Sequence, residues 1–300
     1  MQLQQIFGFV TVVDCGSIRA AARRLAVSQR GLTKSLRQLE ASPDTQLLQR
    51  GASGVTLTDA GKLFLVRARA VHAELKRAQD ELLDLAGRRS GIVSIGVASM
   101  IGALLMPATL QRFRMLRPDA EVRVVEGTQD SLLPLLREGG IDMAACLRME
   151  ADQTTGFSIR SLARVRPVVV GRKGHPLCGA KALTQLQDAQ WAMIRPRGAM
   201  GLLEQVFRNE GLQIPTSSVH CGTHGIQLAI VSGSDALAVM ARQMLDQPPA
   251  KGLLEALPLR RPLPLLTLGL YKPADMPMTA VAADLATAFA AAARQVLRVA

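Results

Sequence analysis

The chain has 300 residues, 48% of them apolar and 3% aromatic, with a formal net charge of +12 from 36 Lys and Arg against 24 Asp and Glu. That length suits two domains at roughly 100–200 residues each, and the apolar content excludes a disordered chain. Four Cys exclude a disulfide framework, the basic surplus favours an anionic partner (nucleic acid, membrane surface or anionic ligand), and one Trp, one Tyr and seven Phe are too few for a single-strand stacking platform, so any nucleic acid is expected to be duplex. The start, Met1-Gln2-Leu3-Gln4-Gln5-Ile6, lacks a basic n-region, and Asp14 interrupts the first apolar run. No apolar stretch reaches the roughly 18 residues of a membrane span. A cytoplasmic protein with reduced thiols and no membrane partner is therefore expected.

The basic charge is denser at the front: residues 1–90 carry 14 Lys and Arg against 8 Asp and Glu, residues 91–300 carry 22 against 16. Leu3, Ile6, Phe7 and Val10 recur at helical spacing, and Asp14, Gly16 and Ser17 end that helix. Ser17 is a suitable N-cap for a second helix, Ile18 to about Leu25, and Ala26-Val27-Ser28 is a turn. Ser28 caps a third helix, Gln29 to about Ala41, with Leu32, Leu36 and Leu39 on one face and Gln29, Arg30, Thr33, Lys34 and Arg37 on the other. Two helices joined by a short turn, the second with a basic face, suggest helix-turn-helix. Gln29 suits adenine edges, Arg30 guanine or phosphate, and Thr33 phosphate or a thymine methyl, while Lys34, Arg37 and Arg50 can neutralise phosphates. Arg50 to Thr58, with Gly51 and Gly54, reads as a hairpin or wing. Thr58 can cap a long helix to about Ala86, too long for a 60-residue domain to cover, so a two-chain seam is expected.

The texture changes at Gly87-Arg88-Arg89-Ser90-Gly91. Beyond it strands (92–97, 122–125, 141–145, 168–170, 191–193, 237–240) alternate with helices (104–116, 132–137, 202–209, 226–231, 279–299) in a βαβ rhythm that predicts mostly parallel strands. Two lobes are expected, with strands at 165–171 and 265–271 as crossovers. No nucleophile elbow, dinucleotide fingerprint or zinc-protease pattern occurs, and Gly174 to Lys181 lacks the Gly-Lys-Ser/Thr ending of a phosphate loop. His220, Cys221 and His224 lack a fourth ligand and read as a plain loop. No catalytic residue, metal or cofactor is expected.

Residues 2–61 resemble the DNA-binding segment of the LysR-type transcriptional regulators. The match runs through Phe7 and Val10, Gly16-Ser17-Ile18-Arg19-Ala20-Ala21-Ala22, Leu25, Ser28-Gln29, Leu39-Glu40, Arg50 and Leu57-Thr58-Asp59-Ala60-Gly61. Ile95-Gly96, Leu105-Met106-Pro107, Gly140-Ile141-Asp142, His175-Pro176-Leu177 and the segment after Val231-Ser232-Gly233 are similar to the family's effector domain. The resemblance implies an α plus α/β architecture. Its parts are an N-terminal winged helix-turn-helix (1–60), a linker helix for dimerisation (58–88) and a two-lobed, periplasmic-binding-like effector domain (91–300, lobe I about 91–164 plus 267–300, lobe II about 165–266). It also implies a homotetramer, with RNA polymerase as a further candidate partner. Departures are Arg30-Gly31-Leu32-Thr33, where the family has Pro-Ala-Val-Ser, and Pro43-Asp44 and Leu47-Leu48 near the wing. Gly31 weakens the third helix by about 0.5–1 kcal/mol relative to Ala.

For the effector, the resemblance points to Ser99 and Met100 after the first strand and Thr128 after the second. These places lie outside strand carboxyl ends, where backbone N–H groups favour an anion. Arg148 and Arg197 are candidates to clamp a carboxylate or sulfonate. The Ser232-Gly233-Ser234-Asp235 turn is a weaker candidate. The chain is thus expected to be a DNA-binding regulator switched by a small anionic effector. The rivals are a cytosolic solute-binding protein of the same two lobes and an enzyme on an α/β scaffold.

Overall fold

The computed structural model describes the chain except residues 42–44, 52–53, 87–90, 149–154, 195–200, 216–217 and 298–300. The expected boundary at 87–90, Pro43-Asp44 and Arg197 fall outside the described residues. The chain divides into two compact units, residues 1–91 with 134–141, and residues 92–133 with 142–300.

In the first unit, α1 (Leu3–Cys15), α2 (Ile18–Arg24) and α3 (Gln29–Ala41) precede a two-stranded wing, β1 (Leu48–Gly51) and β2 (Gly54–Leu57), and the long α4 (Asp59–Leu85). Each start is set by a hydroxyl: Ser17 Oγ accepts from Ala20 N at 3.1 Å, Ser28 Oγ from Gly31 N at 3.0 Å, and Thr58 Oγ1 from Gly61 N at 2.9 Å. Gly31 leaves room for this arrangement, since a Cβ there would lie 3.0 Å from Ser28 Oγ. Gly31 is thus an accommodation for the cap as well as a weak helix former.

The α2–α3 turn closes with Ala26 N donating to Arg23 O and Val27 N to Ala22 O. This is a Schellman pair, and Ala26 occupies its left-handed position at φ 54°. Phe9, Leu36 and Leu39, all buried, centre the core. Leu47 and Leu48 are buried in it too, and Glu40 Oε1 accepts from both their backbone N–H groups at 2.9 and 3.0 Å. The departure at Leu47-Leu48 is therefore absorbed by packing. The wing rests on two close approaches: Val55 N donates to Gly16 O, and Gly61 lies so near Leu47 that a Cβ would reach its carbonyl oxygen at 2.0 Å. On α4, Leu65 and Ala68 turn inward, while Leu63, Val71, Ala78 and Leu82 remain exposed at helical spacing.

The second unit holds two five-stranded sheets. The first is ordered β4-β3-β5-β12-β6, from β3 (Ile92–Val97), β4 (Glu121–Glu126), β5 (Met143–Arg148), β6 (Phe157–Val165) and β12 (Leu266–Pro273). The second is ordered β11-β7-β10-β8-β9, from β7 (Pro167–Arg172), β8 (Gln190–Met193), β9 (Ser218–His220), β10 (Ala236–Ala241) and β11 (Leu254–Ala256). The helices are α5 (Ser99–Leu116), α6 (Gln129–Arg137), α7 (Leu202–Asn209), α8 (His224–Gly233) and α9 (Ala280–Val296).

The expectation of mostly parallel strands needs correction. β3 is parallel to β4 and β5, and β8 to β9 and β10, but β12 is antiparallel to β5 and β6, and β7 to β10 and β11. The antiparallel strands include β6 and β7, on either side of Arg166, and β12, where the chain returns to the first sheet. The expected crossovers at 165–171 and 265–271 coincide with β7 and β12. α5 starts at Ser99, earlier than the expected 104, and carries Pro107 within it. Ala241, which ends β10, and Met244, just after it, join the apolar core of the first sheet.

Candidate DNA interface and effector cavity

α3 separates two chemistries along one element. Leu32, Leu36 and Leu39 are buried, and Ser28, Gln29, Arg30, Thr33, Lys34 and Arg37 surround a shallow concavity on the opposite side. All but the half-buried Thr33 are exposed. Arg30, Lys34 and Arg37 have no acidic partner among the described residues. Arg50 stands on β1, with its side chain outside the described set. Ser28 is occupied as a helix cap, which leaves its hydroxyl hydrogen as the group free to donate.

A cavity of about 640 Å³ opens between the two sheets of the second unit. That volume is in the range of small-molecule sites, roughly 300–1,000 Å³. Ser99, Met100 and Thr128 line it, as expected. Arg148 ends β5 and is not among the lining residues, and Arg197 is outside the described residues. The Ser232–Asp235 turn lies elsewhere. There Ser234 Oγ donates to Ile230 O at 2.7 Å, and Asp235 pairs with Arg172 at 2.8 Å, so the turn ends α8 and ties it to β7.

The polar groups near the cavity hold the two sheets together. Ser99 Oγ, at the start of α5, accepts from His224 N at 2.9 Å, at the start of α8. Met100 Sδ accepts from Ala241 N at 3.0 Å. Gln227 Nε2 donates to Ala192 O at 2.8 Å, which leaves its Oε1 to accept from His224 Nδ1 at 3.1 Å. His224 therefore carries its proton on Nδ1, and its buried Nε2 has no partner among the described residues. Burial lowers the His224 pKa below its ordinary value and keeps the ring neutral, against smaller opposing effects of Gln227 and Glu126. The plain-loop reading of 220–224 is corrected: His220 closes β9, Cys221 is buried, and His224 begins α8.

Cys146 lies on the wall with its thiol pushed up to about 12 by burial, so it is not a nucleophile. Trp191, fully buried on the wall, has an indole N–H without an acceptor among the described residues. His175 is satisfied structurally: Nε2 donates to Asp235 O, and Nδ1 accepts from Leu177 N.

Sequence reasoning missed Glu126, Trp191, Met193, Gln227 and Met240 on this wall. Glu126 ends β4 and Met193 ends β8, so the rule that ligands sit beyond strand carboxyl ends could have found them. Met240 ends the expected strand 237–240 and was open to the same rule, whereas Gln227 had no such signal.

Comparison with known proteins covers both segments of the chain. The family model "Bacterial regulatory helix-turn-helix protein, lysR family" matches residues 3–62, and "LysR substrate binding domain" matches residues 86–294. The regulator TdcA of Escherichia coli K12 is 29% identical over 204 residues, 68% of this chain and 65% of TdcA's length. Among solved structures, ArgP from Mycobacterium tuberculosis superposes with a TM-score of 0.75 at 19% identity, covering 98% of each chain. Full-length CbnR complexed with its target DNA superposes with a TM-score of 0.66 at 20% identity, covering 97% of this chain and 100% of CbnR. At such identities the superpositions show a shared fold.

Proposed function

The chain belongs to the LysR family of transcriptional regulators, and from that membership we propose that it reads duplex DNA through α3 and is switched by a small molecule in the 640 Å³ cavity. The family is one of regulators rather than enzymes. The domain division that goes with this reading is DNA recognition over 1–60, a linker helix over 58–88 and effector response over 91–300.

The observation that carries the reading is the polar face of α3. Gln29, Arg30, Lys34 and Arg37 are exposed on one helix, without partners among the described residues to hold them, as major-groove contacts require. The CbnR complex supports duplex DNA as the partner, since that protein of the same fold is seen on its target. The exposed stripe Leu63, Val71, Ala78 and Leu82 on α4 supports pairing of two copies through that helix, with tetramers built from such pairs. No helix among the described residues is long and apolar enough to cross a membrane, which accords with action on DNA in the cytoplasm.

The test is selection from a random duplex pool, followed by anisotropy titration over a salt series. The chain is expected to enrich a defined site. Gln29→Ala should relax preference at one base step by about 1–3 kcal/mol. Lys34→Ala should weaken all duplexes alike and reduce the salt slope by about one phosphate contact. Failure to prefer any duplex over random DNA would sink the reading.

A further inference from the structure

The charged groups on the described part of the cavity wall are acidic, while Arg148 is off that part and Arg197 lies outside the described residues. Among the described lining residues the charged side chains are Glu126 and Glu204, with no Lys, Arg or His. Glu204 is occupied: its Oε2 accepts from Gly201 N at 3.0 Å as part of the α7 cap. Glu126 is not. It ends β4 beside Val97, is exposed, and its carboxylate makes no hydrogen bond or ion pair among the described residues. His224 is near enough to feel its charge, but burial keeps that ring neutral. The ring supplies no counter-charge. Most of the remaining wall is apolar, from Met100, Leu147, Trp191, Met193, Met240 and Leu266.

A ligand that fills this space strips water from Glu126. An ionised carboxylate without its water is disfavoured unless a cation replaces it, and an anionic ligand adds like charge instead. Resting on the reading of this cavity as the effector site, we propose that the effector carries an ammonium group paired with Glu126 on a compact apolar body, in place of the expected carboxylate or sulfonate alone. Two sources share that chemistry. An apolar α-amino acid would also set its carboxylate on the N–H groups at the start of α5, whose N-cap residue Ala98 provides no side-chain cap. A simple amine would leave those groups to water.

The experiment is calorimetric titration and thermal shift of the full chain with L-phenylalanine, 2-phenylethylamine and 3-phenylpropanoate, and with L-leucine, isoamylamine and 4-methylpentanoate. Each series holds the apolar body fixed and varies the charged groups. Ammonium-bearing members should bind and raise the melting temperature, and the carboxylate-only members should bind at least tenfold more weakly. Glu126→Gln should weaken the ammonium ligands at least tenfold without lowering the melting temperature of the free chain. An amino acid tighter than its amine assigns the first source; an amine as tight or tighter assigns the second. Carboxylate-only binding equal to the amine, indifference to Glu126→Gln, or no binding by any of the six overturns the proposal. Thr128→Trp, which places a bulky side chain on the cavity wall, separates the two failures. A carboxylate whose binding Thr128→Trp abolishes leaves the effector cavity standing and only the ammonium rejected, whereas ligand binding indifferent to Thr128→Trp places the effector elsewhere.

Discussion

The proposed DNA-reading helix and the proposed effector cavity are built on opposite plans. α3 carries its candidate contact groups on thirteen consecutive residues, and its cations are exposed without acidic partners among the described residues. The cavity wall is assembled from the ends of β3, β4, β8 and β10 and the starts of α5, α6, α7 and α8, elements separated by up to about half the chain. Several of its polar groups are already engaged, as in the Ser99–His224 bond and the Gln227–Ala192 bond. A surface that meets a long polyanion needs loosely held charge, whereas a cavity that discriminates among small molecules needs fixed shape and few, placed charges. The two sites therefore respond differently to perturbation.

The largest expected effect separates the two units. Gly61→Ala brings a methyl group to 2.0 Å from the Leu47 carbonyl oxygen, backbone against backbone, so the wing must leave its seat. The loss is about 3 kcal/mol for the first unit, the upper end of overpacking. Scanning calorimetry should show that unit's transition fall while the second unit's transition and its ligand binding persist. DNA affinity should drop with the wing. An unchanged calorimetric trace would mean that the wing is not seated by this contact.

A second effect runs the other way and touches only the effector unit. Burial lowers the His224 pKa in the folded chain below the ordinary 6.5. The unfolded state then binds the proton more readily. Stability is full above about pH 6.5 and is lost as pH falls from there towards the folded value, with a slope of at most about 1.4 kcal/mol per pH unit. Melting curves between pH 7.5 and 5.5 should show the second unit weakening with acid, and His224→Gln should flatten that dependence. A wild-type profile as flat as that of His224→Gln would remove the buried neutral ring from the account.

The same contrast governs what could be read in advance. Helices α1 to α4 and the wing were legible to within a residue or two, because capping hydroxyls, apolar spacing and glycines act locally. In the second unit, β6 escaped notice. Its residues Ser158, Arg160, Ser161 and Arg164 look solvated, and its pairing with β12 joins segments about a hundred residues apart. The resemblance pointed to Ser99, Met100 and Thr128 beyond strand ends, and Glu126 lay on the same path. The anionic effector was inferred from backbone N–H groups at a helix start and from Arg148 and Arg197, and an arginine's presence carries no information about whether its side chain reaches a cavity. Arg148 shows this, as it stands at a strand end yet is not on the described wall. Gln227 enters the wall only through the packing of α8 onto its sheet, a property no local pattern encodes.

The smallest expected effect sharpens the picture of the helix-turn-helix itself. Ala26 holds a left-handed conformation, φ 54°, at the position of a Schellman turn that glycine fills without penalty. The left-handed region costs a residue with a Cβ about 1–2 kcal/mol, partly offset by the greater freedom glycine has when unfolded. Ala26→Gly should therefore stabilise the first unit by about 1 kcal/mol, which raises its melting temperature by roughly 4–8 °C for a domain of this size. DNA affinity should stay within about twofold, since Ala26 is outside the polar face of α3 and the free energy enters folding rather than contact. A lower melting temperature would show that Ala26 contributes packing that outweighs its backbone strain. A gain in DNA affinity would show that the turn still moves in the free protein and that its strain bears on how α3 is presented to the groove.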